Sequence, residues 1–207
     1  MIKIENESVS NISRAIYSAR NAMNSWDKSD SDLEKDIVGP NDLALAKRLR
    51  NAGTDHRKFM RMISVYVDIT APLYWWKEFD TYKVGTVANS CSTMHKIHAK
   101  EFTLEDFSHE HLYLPIQDLR PTIDLLNTYR ERYLETKDKS DWWQLIQLLP
   151  SSYNQRRTVM LNYEVLANIY KSRRNHKLDE WHVFCEWIKN LPYSELIIGE
   201  KVESEFA

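Results

Sequence analysis

Glycine is scarce in this chain of 207 residues: Gly39, Gly53, Gly85 and Gly199 stand alone, far from one another. Glycine-rich loops that cradle phosphates need several glycines within a few residues, so dinucleotide-binding fingerprints and P-loops are excluded. Cysteine is scarcer still. Cys91 and Cys185 form neither a disulfide framework nor a CxxC metal or redox motif. Charge of one sign is missing too, with 28 Lys+Arg against 30 Asp+Glu and a net charge of −2. That balance argues against general nucleic-acid coating, although a local basic cluster can still hold a single phosphate. The longest apolar stretch, ISVYVDITAPLYWW, is interrupted by Asp68 and Pro72, short of the roughly 20 residues a membrane helix needs. MIKIENESVS offers no apolar secretory core, and the expected location is cytoplasmic.

What is present suits a folded core. Hydrophobic residues make up 43%, including seven Trp, eleven Tyr and six Phe, and the length fits one domain over 1–207. Ile12, Ala15, Ile16, Ala19, Ala22, Met23 and Trp26 follow helical spacing, which predicts a first amphipathic helix. The segment 27–40 reads as a loop, and Asn41 and Asp42 offer caps for a helix ending at Gly53. Alternation from Phe59 to Ile69 predicts a strand. Pro72 opens an aromatic helix that ends near Gly85, and Thr103 with Asp106 resembles a capping box. Pro121 reads as the start of a helix toward Tyr133, and DWWQLIQLLP as a short helix closed by Pro150. A second strand is expected from Arg157 to Leu161, then a helix capped by Asn162 and reaching Arg173. Leu178, Trp181, Cys185 and Ile188 mark the buried stripe of a last helix, with an acidic, frayed tail after Gly199. The class is α+β, with helices outnumbering strands.

Several groups have chemical potential. His95, His98, His109 and His111 lie among Glu101, Glu105, Asp106 and Glu110, which is either a metal site built for a hydrolase or a polar loop. Cys91 sits among Ser90, Ser92 and Thr93 with His95 nearby, so it is either a nucleophile with an imidazole beside it or a small unreactive side chain. Cys185 belongs to the core. Arg156, Arg157, Lys171, Arg173, Arg174 and Lys177 are either a phosphate grip or solvated helix-end charges. Trp75, Trp76, Trp142, Trp143, Trp181 and Trp187 read as core aromatics, with stacking on a bound ring as the other reading.

The order strand, Ala-Pro, aromatic helix, polar stretch, helices, Leu-Pro, strand, Asn-led helix ending in Arg resembles the flavin-dependent thymidylate synthases. The likeness runs from about 45 to 191 and is carried by ISVYVDITAPLYWWKEF and LLPSSYNQRRTVMLNYEVLANIYKSRR. It implies a helix-rich single domain around a central antiparallel sheet, assembled as a homotetramer with FAD at a subunit interface. It also implies one-carbon transfer to dUMP or a related pyrimidine nucleotide, with methylenetetrahydrofolate and NADPH as co-substrates. His56, Lys83, Asn162 and Asn168 fall at flavin-contacting positions, and Arg173 on the arginine that holds the substrate phosphate. Glu78 and Asn89 fall at the substrate, and Glu180 stands where the family has a Glu after its final His-containing turn. The family's RHR lies opposite Thr81, Tyr82 and Lys83. Its serine against the pyrimidine is Cys91, the arginine after it is Thr93, and the arginine before Leu-Pro is Ile146. The alternative is a non-catalytic homologue that keeps the fold as a nucleotide-binding or interaction module.

Overall fold

The computed structural model describes residues 1–199, so the acidic tail lies outside the described residues. The chain runs β1 (Lys3–Ser10), α1 (Ile12–Ser18), α2 (Pro40–Asn51), β2 (Ser64–Pro72), α3 (Leu73–Phe79), β3 (Val87–Ser90), α4 (Thr93–Lys96) and α5 (Pro115–Thr136). It continues through α6 (Lys139–Leu148), β4 (Asn154–Asn162), α7 (Tyr163–Arg173), α8 (Asp179–Lys189) and α9 (Glu195–Ile198). Helices predominate around one four-stranded antiparallel sheet in the order β1-β2-β4-β3, the α+β class expected. No helix among the described residues is long and apolar enough to cross a membrane.

The chain forms two compact units. The first contains Met1–Lys3, Ile69–Thr81 and Asn89–Thr158; the second contains Ile4–Asp68, Tyr82–Ala88 and the chain from Val159 onward. In the first, the α5 and α6 hairpin closes over Ile97, Phe102, Phe107, Leu119, Ile123, Leu126 and Leu145. Leu73 and Tyr74 open α3 by donating their backbone N–H groups to the carbonyls of Tyr153 and Ser151, which satisfies two of the helix's initial donors. Trp75, Trp76 and Phe79 pack ring on ring beneath it. In the second unit, Val65 and Val67 of β2 and Val159 and Leu161 of β4 are buried, as are Ile16, Leu166, Ile169, Trp181 and Phe184 of the helices.

The segment 27–40 has a structural task that its composition hides. The Asp36 carboxylate accepts the N–H groups of Ile12 and Ser13 at the start of α1, and Asp30 accepts those of Asn41 and Asp42 at the start of α2. Gly39 is required there because a Cβ would lie 2.3 Å from the Asp30 carboxyl carbon. The caps expected of Asn41 and Asp42 are therefore supplied by Asp30, and Asp42 instead turns inward. It is fully buried and takes Arg20 in an ion pair, with Ser29 and Ser31 hydroxyls on its other oxygen.

Other elements depart from the sequence reading. The first helix ends at Ser18, and the chain continues through 3-10 turns over Ala19–Met23 and Trp26–Lys28. The strand expected from Phe59 begins at Ser64, because Lys58–Met62 is a 3-10 turn whose Phe59 and Met60 are buried without alternation. Pro121 lies inside α5, which opens at Pro115. Pro121 is the seventh residue of the helix, past the four free donors of the first turn, so it removes the backbone bond to the Gln117 carbonyl and crowds it. β1 and β3 carry mostly exposed residues and so give no two-residue hydrophobic period.

Candidate functional site

The first unit has a cavity of about 310 Å³ beside Cys91. Its walls include Cys91, Lys96, Lys100, Tyr153, Asn154 and Arg156. Sheet pairing sets the geometry: Cys91 follows β3, and its N–H donates to the Arg156 carbonyl on β4 at 2.9 Å. Gln155, buried one residue earlier, donates its side-chain amide to the Cys91 carbonyl at 2.8 Å, so both backbone groups of Cys91 are held by β4. The same Gln155 accepts Arg157 Nε at 3.0 Å, and its backbone carbonyl accepts the Trp76 indole at 2.9 Å. Arg157 stands 4.2 Å from the Trp76 ring centre and pairs with Asp80 at 2.8 Å. The thiol is therefore exposed but its backbone is fixed. Lys100 pairs with Asp106 on the cavity wall, and burial, then the Asp106 carboxylate, push the Tyr153 hydroxyl up. The lining carries Lys96, Lys100 and Arg156 against Glu105 and Asp106, an excess of one positive charge.

The second unit gathers the family-like residues around α7. Asn162 caps the helix as expected, its side-chain oxygen accepting Val165 N–H at 3.0 Å. A Cβ on Gly85 would lie 2.7 Å from Asn162 Nδ2, and Gly85 has φ +80, so only glycine brings this loop against the cap without strain. At the other end, Arg173 Nε donates to the Tyr82 hydroxyl at 2.9 Å, and its guanidinium stands 5.6 Å from the Tyr82 ring and 4.9 Å from Trp181. The stretch from Tyr82 to Gly85 thus runs along α7 from its last residue to its cap. Arg57 pairs with Glu164 in the first turn at 2.8 Å, which brings the neighbouring His56 to the same end of the helix. Arg57 Nε and Glu164 Oε2 are buried without hydrogen-bond partners.

Glu78, Asn89 and Cys91 thus belong to the first unit, and His56, Lys83, Asn162, Asn168 and Arg173 to the second. His56, Lys83, Asn168 and Asn89 are exposed. The basic set divides: Arg156 and Arg157 go with the first unit, Lys171, Arg173, Arg174 and Lys177 with the second. His95, His98, His109 and His111 do not converge, and no three His, Cys, Asp or Glu side chains among the described residues could hold a metal. Cys185 is core as expected, its thiol pushed up to about 11 by burial. Trp143, expected in the core, is exposed, since α6 turns Leu145 inward instead. Lys96, Lys100, Tyr153 and Gln155 were not legible as site residues. The four-residue spacing of the two lysines and the alternation of Gln155 with Arg156 were the signals available.

No protein-family model and no curated protein matches the sequence. Solved structures do. The flavin-dependent thymidylate synthase ThyX of Helicobacter pylori complexed with FAD and dUMP matches at TM-score 0.69 and 16% identity, over 94% of this chain and 96% of that one. A second structure of the Helicobacter pylori enzyme with FAD and dUMP gives TM-score 0.70 at 16% identity, covering 95% and 96%. The UMP/dUMP methylase PolB of Streptomyces cacaoi bound with 5-Br dUMP gives TM-score 0.64 at 15% identity, covering 94% and 93%. TM-scores of about 0.7 with near-complete mutual coverage show that this chain has the fold of the flavin-dependent thymidylate synthases.

Proposed function

We propose that this chain binds FAD and a pyrimidine nucleotide and transfers a one-carbon unit to the pyrimidine, with dUMP or a close relative as substrate. The observation that carries this reading is the cavity at Cys91, the position at which the likeness puts a side chain against the base. Its volume of about 310 Å³ suits one mononucleotide. The backbone clamp by Gln155 and Arg156 would hold the Cys91 side chain in one orientation against a bound ring. Glu78 and Asn89 contact the substrate in this reading. By the likeness alone, Arg173 of the second unit is a phosphate ligand, and Tyr82 and Trp181 pre-orient it so that little side-chain freedom remains to be lost on binding.

The chemistry of the donor set fits a flavin. His56, Asn168 and Lys83 are exposed, and they offer an imidazole, an amide and an ammonium to the polar edge and diphosphate of such a group. Asn162 can add its amide Nδ2, because the cap uses only its oxygen. When bound, FAD would supply the electron chemistry, with NADPH as reductant and methylenetetrahydrofolate as one-carbon donor. The chain's own part is to bind, orient and exclude water. By the same likeness the working form is a homotetramer.

The test is a titration of purified protein with FAD, followed by its visible band and fluorescence quenching, and then with dUMP. Saturable binding of both, with nucleotide binding lost in Arg173→Ala, is the expected result. Unchanged dUMP affinity in that variant removes the phosphate assignment. Absence of flavin binding at saturating FAD leaves the fold in use as a nucleotide-binding or interaction module, the reading favoured by Thr81 and Tyr82 where the family carries Arg and His.

A further inference from the structure

We infer that a second cleft of the first unit, between α4, the end of α5 and the start of α6, binds a small planar aromatic anion, a single ring system carrying a phosphate or carboxylate. The cleft has a volume of about 270 Å³ and is lined by Met94, His95, Tyr133, Lys137, Lys139 and Trp142. None of these residues belongs to the machinery assigned above.

Two flat faces are fixed in place. The Trp142 indole donates to the Met94 carbonyl at 3.1 Å and stands edge-on to Trp143 at 4.8 Å. Tyr133 is held edge-on by His98, also at 4.8 Å. Around these rings stand three cationic or ionisable side chains, His95, Lys137 and Lys139, and among the described residues none of them meets a carboxylate. Of the neighbouring acids, Asp138 accepts the Ser140 N–H at the start of α6, and Asp141 pairs with Arg132. Lys137 takes the left-handed conformation that ends α5, and its ammonium stands 5.6 Å from the Tyr133 ring centre.

The positive field is felt nearby. The His98 imidazole, behind Tyr133, is pushed down by burial and then by the charges of Lys137, Lys96 and Arg130, and its Nδ1 is buried without a partner. Cations that form no direct ion pair, gathered beside two rings, raise the local concentration of anions. Rings of this kind hold a planar ligand by stacking. A ring alone would leave the lysines unused, and a phosphate alone would leave the aromatic faces unused. The volume takes one base with one phosphate, or one benzoate-sized ring, and is too small for a dinucleotide.

The experiment is an NMR titration of the full chain labelled at indole nitrogen, with the Trp142 resonance assigned through Trp142→Phe. The probes are AMP, 4-hydroxybenzoate, adenosine and inorganic phosphate. Saturable movement of the Trp142 resonance by AMP or 4-hydroxybenzoate is expected, with adenosine and phosphate each about tenfold weaker or more. The tighter of the two anions tells whether phosphate or carboxylate is the natural partner. The paired substitution Lys137→Gln with Lys139→Gln removes two charges at exposed positions while keeping polar side chains, and should weaken the bound anion by about tenfold. Lys139→Gln alone gives a smaller loss in the same direction. The inference is overturned if neither anion moves the Trp142 resonance, if adenosine binds as tightly as AMP, or if the doubly substituted protein, folded by its indole spectrum, binds with unchanged affinity.

Discussion

Gln155 fixes Cys91 from inside the first unit: its amide donates to the Cys91 carbonyl at 2.8 Å, while its side-chain oxygen accepts Arg157 Nε at 3.0 Å. One buried side chain therefore satisfies a backbone acceptor on one strand extension and a guanidinium on its own strand. Gln155→Leu matches it roughly in volume but removes both bonds, leaving the Cys91 carbonyl and Arg157 without these partners. A buried polar group left unsatisfied costs about 1–3 kcal/mol, so urea unfolding should show a loss in that range. Gln155→Glu keeps the acceptor for Arg157 and should lose less. Equal stability of Gln155→Leu and the parent chain would show that the clamp contributes nothing.

The two cysteines should separate cleanly by reactivity. Cys91 is exposed, whereas Cys185 is buried in α8 and its thiol is pushed up to about 11 by burial. Thiolate is the reactive form, so at pH 8 a thiol reagent should modify one residue of the native protein at once and the second only after unfolding. On the proposed function, alkylation at Cys91 should also block nucleotide binding in the cavity beside it. Peptide mapping after a short iodoacetamide pulse checks the first statement, and dUMP titration of the modified protein the second.

Arg20 and Asp42 form the buried ion pair that ties α1's continuation to α2. Burial by itself would raise the Asp42 carboxyl, but the Ser29 and Ser31 hydroxyls and Arg20 outweigh it and hold it below its usual 3.8. A carboxyl lowered in the folded state contributes stability that is complete above its unfolded value and is lost as pH falls through the folded one. Unfolding free energy should therefore be level above about pH 5 on this account and decline below pH 4. Asp42→Ala strands the buried guanidinium and should cost about 3–5 kcal/mol, removing that part of the acid dependence. A variant whose urea midpoint falls by the same amount at pH 3 and pH 7 would contradict the pairing.

What the sequence disclosed follows from the kind of signal each feature carries. The second half of the predicted strand 59–69, the Asn162 cap and the buried stripe of α8 all depend on local spacing, and the structure has each of them. β1 and β3 went unseen because their residues are mainly exposed, so their pairing is set by neighbours far along the chain. The same distance hid the sites. Gln155 meets Cys91 across 64 positions and Tyr82 meets Arg173 across 91, and no period in a linear chain encodes such pairs. The likeness carried by the Ala-Pro and Leu-Pro segments reached the fold because it compares the order of elements. It could not show that Tyr82, which stands in the family's RHR position, turns its hydroxyl to Arg173.

Asn162 has two possible tasks that one pair of substitutions divides. Its oxygen accepts the Val165 N–H, which is structural, and its Nδ2 faces Gly85 and is the group offered to a flavin. Asn162→Ala loses the cap and should cost about 1 kcal/mol of stability. Asn162→Asp retains an oxygen for the cap, places a negative charge at the positive end of α7 and should match the parent chain in stability. It also removes the amide donor, so FAD titration should show weakened binding in a protein whose unfolding midpoint is unchanged. Gly85→Ala tests the other partner: at φ +80, with a Cβ 2.7 Å from Nδ2, it should destabilise by about 1–3 kcal/mol. If Asn162→Asp binds FAD as the parent does while Asn162→Ala loses only stability, the residue is a helix cap and its place among the flavin ligands falls.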